Sequence, residues 1–292
     1  MLQQTQVKTV IPYFKKFLLH YPTLELLSKS NEKKVLKLWE GLGYYRRARN
    51  LLATAKILVK EHNSNLPNKI IYIKKLPGIG DYTANALLAF IYNQPTIAID
   101  GNVKRVFSRL LNRSDASLDT NKVIEDNRKS LFKTRRHSDF VEALMEFGAL
   151  ICKPKNPECF KCSLISACKY FKSNKKFKQI RKTQPLEKSY DIFCYINKIK
   201  NKIALTKKHN LGFLNNFYLP HIIETNAKNI TQDWNFHSNF KNSISNKKLN
   251  INLYYKYSLK LPIKSQWFSL KGNNEFIPTF TKKIFKQFSK LN

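Results

Sequence analysis

Leu76-Pro77-Gly78-Ile79-Gly80 lies between two helical segments, and Asp81-Tyr82-Thr83-Ala84 opens the second of them. Two glycines at this spacing let the backbone turn tightly and approach a ligand where a Cβ would clash. The amides around Gly78 and Gly80, with the N-terminus of the next helix, would face outward as donors. Such a site suits a phosphate oxygen. Any tight helix–helix turn could use the same residues, so the run takes its meaning from its surroundings.

On either side the sequence reads as helices across residues 1–151. Asn31 can cap a helix carrying Val35, Leu36, Leu38 and Trp39, and Gly41 and Gly43 end it. Another helix follows from about Tyr44, with Leu51, Leu52, Ala55, Ile57 and Leu58 at helical spacing. Further helices are expected near Val103–Leu111, Lys122–Phe132 and Asp139–Ile151. Beyond Ile151 come four cysteines, Cys152, Cys159, Cys162 and Cys168, separated by six, two and five residues. Four thiolates suit a 4Fe–4S cluster. Zinc is the rival ligand, but structural zinc sites usually use two close pairs, and only one C-x-x-C occurs here. Cys194 stands apart and reads as a buried apolar residue.

Residues 171–188, rich in Lys, Gln and Ser with Pro185 near the end, read as a basic linker. After it Tyr190–Ile196, Ile203–Thr206 and Ile251–Tyr257 have strand character, and Phe280–Phe288 reads as a closing helix. The expected fold is therefore a mainly α domain at 1–170 and a smaller α+β domain at 189–292.

The chain has 292 residues and is 42% hydrophobic, enough for buried cores in two domains. Its net charge of +34 implies a polyanionic partner, most often nucleic acid. A general over-use of Lys would raise the charge too, and the two readings are compatible. No apolar run is long enough to span a bilayer, and the N-terminus lacks a signal-peptide layout. Five cysteines, four of them clustered, argue against a secreted disulfide framework, so a reducing cytoplasm is expected.

The run LPGIGDYTA resembles the helix-hairpin-helix of base-excision DNA glycosylases, in which the hairpin grips the DNA backbone beside the lesion. In that superfamily an Asp follows downstream, and Asp100 of Ala98-Ile99-Asp100-Gly101-Asn102-Val103-Lys104-Arg105 takes its place. Within the superfamily, MLQQTQV, GLGYYRRARNL and DGNVKRV resemble the adenine DNA glycosylase (MutY) family over residues 1–169. The endonuclease III-like subfamily carries a Schiff-base Lys where this chain has Tyr82, so the resemblance implies glycosidic hydrolysis without lyase nicking.

The resemblance implies the following. The substrate is double-stranded DNA with adenine opposite 8-oxoguanine or guanine, and the protein is a monomer. Asp100 stabilises the oxocarbenium-like sugar, although an N-cap of the next helix would also place an Asp there. Tyr82 and Asn102 line the sugar and order Asp100. Glu142 contacts the extruded adenine. Gln4 and Tyr44 fill and wedge the duplex beside 8-oxoguanine, with Thr5 and Leu42 in the same wedge region. Gly78 and Gly80 supply hairpin amides, while Arg46, Arg47, Arg49 and Lys104 meet phosphates. Cys152, Cys159, Cys162 and Cys168 hold the 4Fe–4S cluster. The C-terminal domain would be a divergent Nudix-like module for 8-oxoguanine recognition. There Leu211–Pro220 matches the family's Gly-rich run in part, and Ser245 remains of its Phe-Ser-His loop. The family's general-acid Glu would fall two positions before Met1, implying a sequence shortened at its N-terminus. A catalytically inactive mispair-binding protein and an endonuclease III-like glycosylase are the alternatives.

Overall fold

The computed structural model describes residues 1–113, 118–173, 186–225, 233–244, 247–271 and 276–288. It contains two compact units, Ala53–Lys182 and a second formed by Met1–Leu52 with Thr183–Asn292. Most of the expected linker lies outside the described residues, and its last residues, from Leu186, already belong to a strand. Among the described residues no helix is long and apolar enough to cross a membrane.

The unit Ala53–Lys182 is built of helices, with no strand among its described residues. Its principal helices are Asp81–Tyr92, Gly101–Leu111 and His137–Glu146. Asn93 and Asn112 close the first two in the left-handed conformation, with φ of 49° and 54°, a role in which Asn is second only to Gly. The expected helix Lys122–Phe132 breaks at Asn127 into Thr120–Asp126 and Arg128–Leu131. The expected helix Asp139–Ile151 starts earlier, at His137, and its last turn, Phe147–Ile151, widens into a π-helix. Val103, Phe107, Ile97, Ala89 and Val141 form the core that binds the three helices together.

In the other unit Asn31 caps the helix Glu32–Leu38, its Oδ1 accepting from the Lys34 N–H at 2.9 Å. The sheet has strands β1 (Leu186–Asn197), β2 (Lys202–Thr206), β3 (His221–Glu224), β4 (Asn235–Ile244), β5 (Lys247–Tyr257) and β6 (Ser265–Ser269). Their order is β4-β5-β1-β2-β6, with β3 also on β1. β1 runs parallel to β5 and antiparallel to β2 and β3, so the sheet is mixed. Alternation along β1 sends Tyr190, Ile192, Cys194 and Ile196 to one face. There they meet Ile251, Leu253 and the helix Thr279–Phe288 through Phe280, Ile284 and Phe288. Cys194 is fully buried in that layer, as expected.

Candidate active site

In the helical unit Asp100 is held by hydrogen bonds at both carboxylate oxygens. Its Oδ1 accepts from the backbone N–H groups of Asn102 and Val103, each at 2.8 Å, and its Oδ2 accepts from the Asn102 side-chain amide at 2.9 Å. Asp100 thereby caps Gly101–Leu111, which is why a carboxylate opens this helix. The positive end of the helix dipole faces the same group. Cap and candidate reactive carboxylate are one side chain.

Tyr82 lies in the first turn of Asp81–Tyr92 and is 39% exposed. Burial, and then the charge of Asp100, push its phenol pKa up. Beside the carboxylate it is therefore a neutral O–H. Its hydroxyl reaches the Met145 sulfur at 4.0 Å. Glu142 lies one turn before Met145 on His137–Glu146, on the same side, and is exposed. Tyr82, Asp100 and Asn102 thus border one place, and Glu142 stands on the helix that carries Met145 beside it.

The turn before Tyr82 alternates. Leu76 is buried and Ile79 packs on Ile73, Ala84 and Leu88, so the glycines are left outside. Thr54 donates to the Pro77 carbonyl at 3.2 Å and fixes the turn. Gly78 has φ +77°, in the region where a Cβ is unfavourable. Gly80 begins Asp81–Tyr92 with no side-chain cap, and a Cβ there would point into open space. With no side chain capping it, this helix turns the positive end of its dipole toward the hairpin, which suits an anion. Lys104 is exposed on Gly101–Leu111.

Behind Asp100 lies a framework that the sequence reading missed. The Asn102 Oδ1 accepts from Arg105 Nη2 at 2.8 Å, and the same nitrogen reaches the Gly148 carbonyl at 2.6 Å. Arg105 Nε donates to the Cys152 carbonyl at 2.8 Å. One turn later Arg109 donates to the Lys153 carbonyl at 2.7 Å, the Pro154 carbonyl at 3.1 Å and the Cys152 sulfur at 3.3 Å. Gly148, in the π-helical turn, abuts Asn102 so closely that a Cβ would lie 2.8 Å from the Asn102 Cβ. The only sequence signal was the i, i+4 spacing of two arginines beside Asn102, and such a pair ordinarily reads as a solvated face.

Cys152, Cys159, Cys162 and Cys168 are half-buried and form no disulfide. Burial, then the thiols of Cys152, Cys162 and Cys168, push the Cys159 thiol up, and Arg109 opposes them. The four thiols therefore share one neighbourhood beside a cation. Among the described residues no three His, Cys, Asp or Glu groups gather tightly enough for a metal ion. A lone zinc would need four sulfurs about 2.3 Å from one point. A multi-iron core, being itself broad, is held by thiolates standing further apart, and this donor set suits it.

In the unit containing Met1–Leu52, Gln4 and Tyr44 are exposed, Tyr44 at 44%, while Thr5 is half-buried. Leu42, expected in the same wedge region, is 6% exposed. Arg46 is exposed, but two of the expected phosphate contacts are not free. Arg49 pairs with Glu32 at 2.7 Å and lies over the Phe217 ring at 4.4 Å. Arg47 turns inward onto backbone carbonyls. Pattern alone could not reveal this, because two of the three carbonyls, those of Met1 and Gln3, lie 46 and 44 positions away in sequence. Ser245 lies outside the described residues.

Residues 1–133 match the HhH-GPD superfamily of base excision DNA repair proteins. The adenine DNA glycosylase of Buchnera aphidicola subsp. Baizongia pistaciae is 37% identical over 310 aligned positions, which cover 100% of this chain and 88% of that protein. Human adenine DNA glycosylase is 37% identical over 172 positions, 58% of this chain and 32% of that protein. Among solved structures, a thermostable thymine-DNA glycosylase has a TM-score of 0.54 at 28% identity, covering 59% of this chain and 80% of its own. An endonuclease III in a non-covalent DNA complex has a TM-score of 0.50 at 26% identity, with coverage of 59% and 80%. The Buchnera likeness runs through both units, well beyond the hairpin, and by it the chain belongs to the adenine DNA glycosylase family.

Proposed function

We propose that the chain hydrolyses the N-glycosidic bond of adenine paired with 8-oxoguanine or guanine in duplex DNA. The observation that carries this reading is Asp100, a carboxylate held through both oxygens beside a neutral Tyr82 hydroxyl. As the base departs, positive charge develops on the sugar. A fixed carboxylate stabilises it without having to reorganise. Asn102 holds Oδ2 from the side, and Tyr82 offers an O–H where a lyase would need an amine. No Schiff base forms there, which disfavours the endonuclease III-like reading.

Reaction requires adenine to leave the stack, at a cost of a few kcal/mol. In this reading Gln4, Thr5 and Tyr44 fill the space it vacates, and Glu142 contacts the extruded base. The amides at Gly78 and Gly80, with Lys104, bind phosphates. Cys152, Cys159, Cys162 and Cys168 hold a 4Fe–4S cluster, which would pin the loop 152–168 when bound. The mixed sheet is the Nudix-like module reading the opposite strand.

Asp100→Asn tests the assignment, since Asn also caps helices well and the fold should survive. Single-turnover adenine release from an A:8-oxoguanine duplex should fall by about a hundredfold or more, with duplex affinity unchanged. An unchanged rate would remove Asp100 from the reaction. Tight mispair binding by the unsubstituted chain with no adenine release would favour a binding-only protein.

A further inference from the structure

We propose that Arg47 is the positioning residue of the wedge, locking the segment that carries Gln4 to the loop that carries Tyr44 before DNA arrives. The proposal rests on the reading above that Gln4 and Tyr44 enter the duplex.

Both of those residues have backbone conformations that side chains with a Cβ seldom adopt: φ is +58° at Gln4 and +47° at Tyr44. Such conformations persist only where the surroundings over-determine them, and they cluster at functional sites. Arg47 contacts the carbonyl immediately before each. Its Nη1 donates to the Gln3 oxygen at 2.5 Å and to the Met1 oxygen at 2.6 Å. Its Nη2 donates to the Gly43 oxygen at 3.3 Å, which also accepts from the Trp39 indole at 3.1 Å. One guanidinium therefore fixes the 3–4 and 43–44 peptides together.

The guanidinium also lies over the rings of Tyr44, at 5.3 Å, and Trp39, at 5.6 Å. The Arg47 N–H donates to the Tyr44 carbonyl at 2.9 Å, so the helix start and the loop share a residue. Three carbonyls from two separate segments and two aromatic faces call for a planar fork of donors. Lysine has no such fork and does not stack. Partial burial and the inward direction leave the group poorly placed for phosphate. Its work is to order the two loops during folding, so that this cost is not met on binding.

The experiment places 2-aminopurine opposite 8-oxoguanine in a duplex and reads its fluorescence rise on binding, beside single-turnover adenine release from the natural mispair. Arg47→Gln is expected to lose most of the rise and to slow release by about a hundredfold, as expected for a misaimed group. Affinity for undamaged duplex should be unchanged. Arg47→Lys keeps the charge without the fork and should be impaired nearly as much. It also serves if the glutamine variant fails to fold, with thermal melts identifying that case. A full fluorescence rise with normal release in Arg47→Lys would overturn the proposal. So would a loss of affinity for undamaged duplex with a shallower salt dependence, which would return Arg47 to the phosphates. Gln4→Ala and Tyr44→Ala are run alongside. If both extrude the base normally, the wedge reading itself falls. If they fail while the Arg47 variants succeed, only the role of Arg47 is refuted.

Discussion

Asp100 is anchored from behind as well as by its own helix. Asn102 touches its Oδ2 on one side and accepts from Arg105 on the other, and Gly148 presses against the Asn102 side chain. A methyl group at 148 would overlap the Asn102 Cβ at 2.8 Å and stand 3.3 Å from the Asn102 carbonyl carbon and oxygen, so backbone must move. Gly148→Ala should therefore lower stability by about 1–3 kcal/mol, as overpacking does. It should also slow adenine release more than it weakens duplex binding. Thermal melts and single-turnover rates check both parts, and a lowered Tm with an unaltered rate would show that Asn102 has no hold on Asp100. A sequence reader could see Asp100, because an N-cap before a helical run has a local signature. Gly148 was invisible: inside FVEALMEFGALIC a glycine reads only as a tolerated weakness, and its reason is a neighbour 46 positions away.

The hairpin separates two uses of glycine. Gly78 has φ +77°, whereas Gly80 has φ −97° and open space around its missing Cβ. Gly78→Ala should cost about 1–2 kcal/mol of stability, the penalty for a left-handed residue with a Cβ. Gly80→Ala should cost less stability, only the fraction of a kcal/mol by which Ala is the poorer N-cap, yet weaken duplex affinity, since on the proposed reading the new methyl stands where a phosphate approaches. Melts and binding isotherms distinguish the two, and normal affinity in Gly80→Ala would place the phosphate elsewhere. The cysteine loop is tested by composition: anaerobically purified protein should be brown, with about four irons per chain. A colourless preparation carrying one zinc per chain would overturn the cluster. Elements with a local code were legible, among them the Asn31-capped helix, the hairpin, β1, β5 and the closing helix. β4 was not, because NFHSNFKNSI has no apolar alternation and exists by pairing along β5. An edge strand of Asn, Ser and Lys is well protected from aggregation and correspondingly hard to recognise.

Across the whole chain, 53 Lys and Arg face 19 Asp and Glu, so pairing every acidic side chain would still leave a net charge of +34. That excess belongs to the molecule and not to any one site, and it acts on every polyanion alike. Duplex affinity should fall steeply with salt: about six phosphate contacts correspond to roughly a thousandfold loss between 50 and 200 mM salt. A flat profile would mean that the basic surface does not meet the backbone. Discrimination has a different origin. On the proposed reading, extruding adenine and filling its space depends on shape, stacking and the strained Gln4 and Tyr44 loops, which salt does not screen. The ratio of affinities for A:8-oxoguanine and undamaged duplex should therefore stay constant over the salt range in which each affinity collapses. Parallel salt titrations of the two duplexes measure it. A ratio that shrank with salt would make recognition itself electrostatic, and a wedge held ready by Arg47 would then have no part in choosing the substrate.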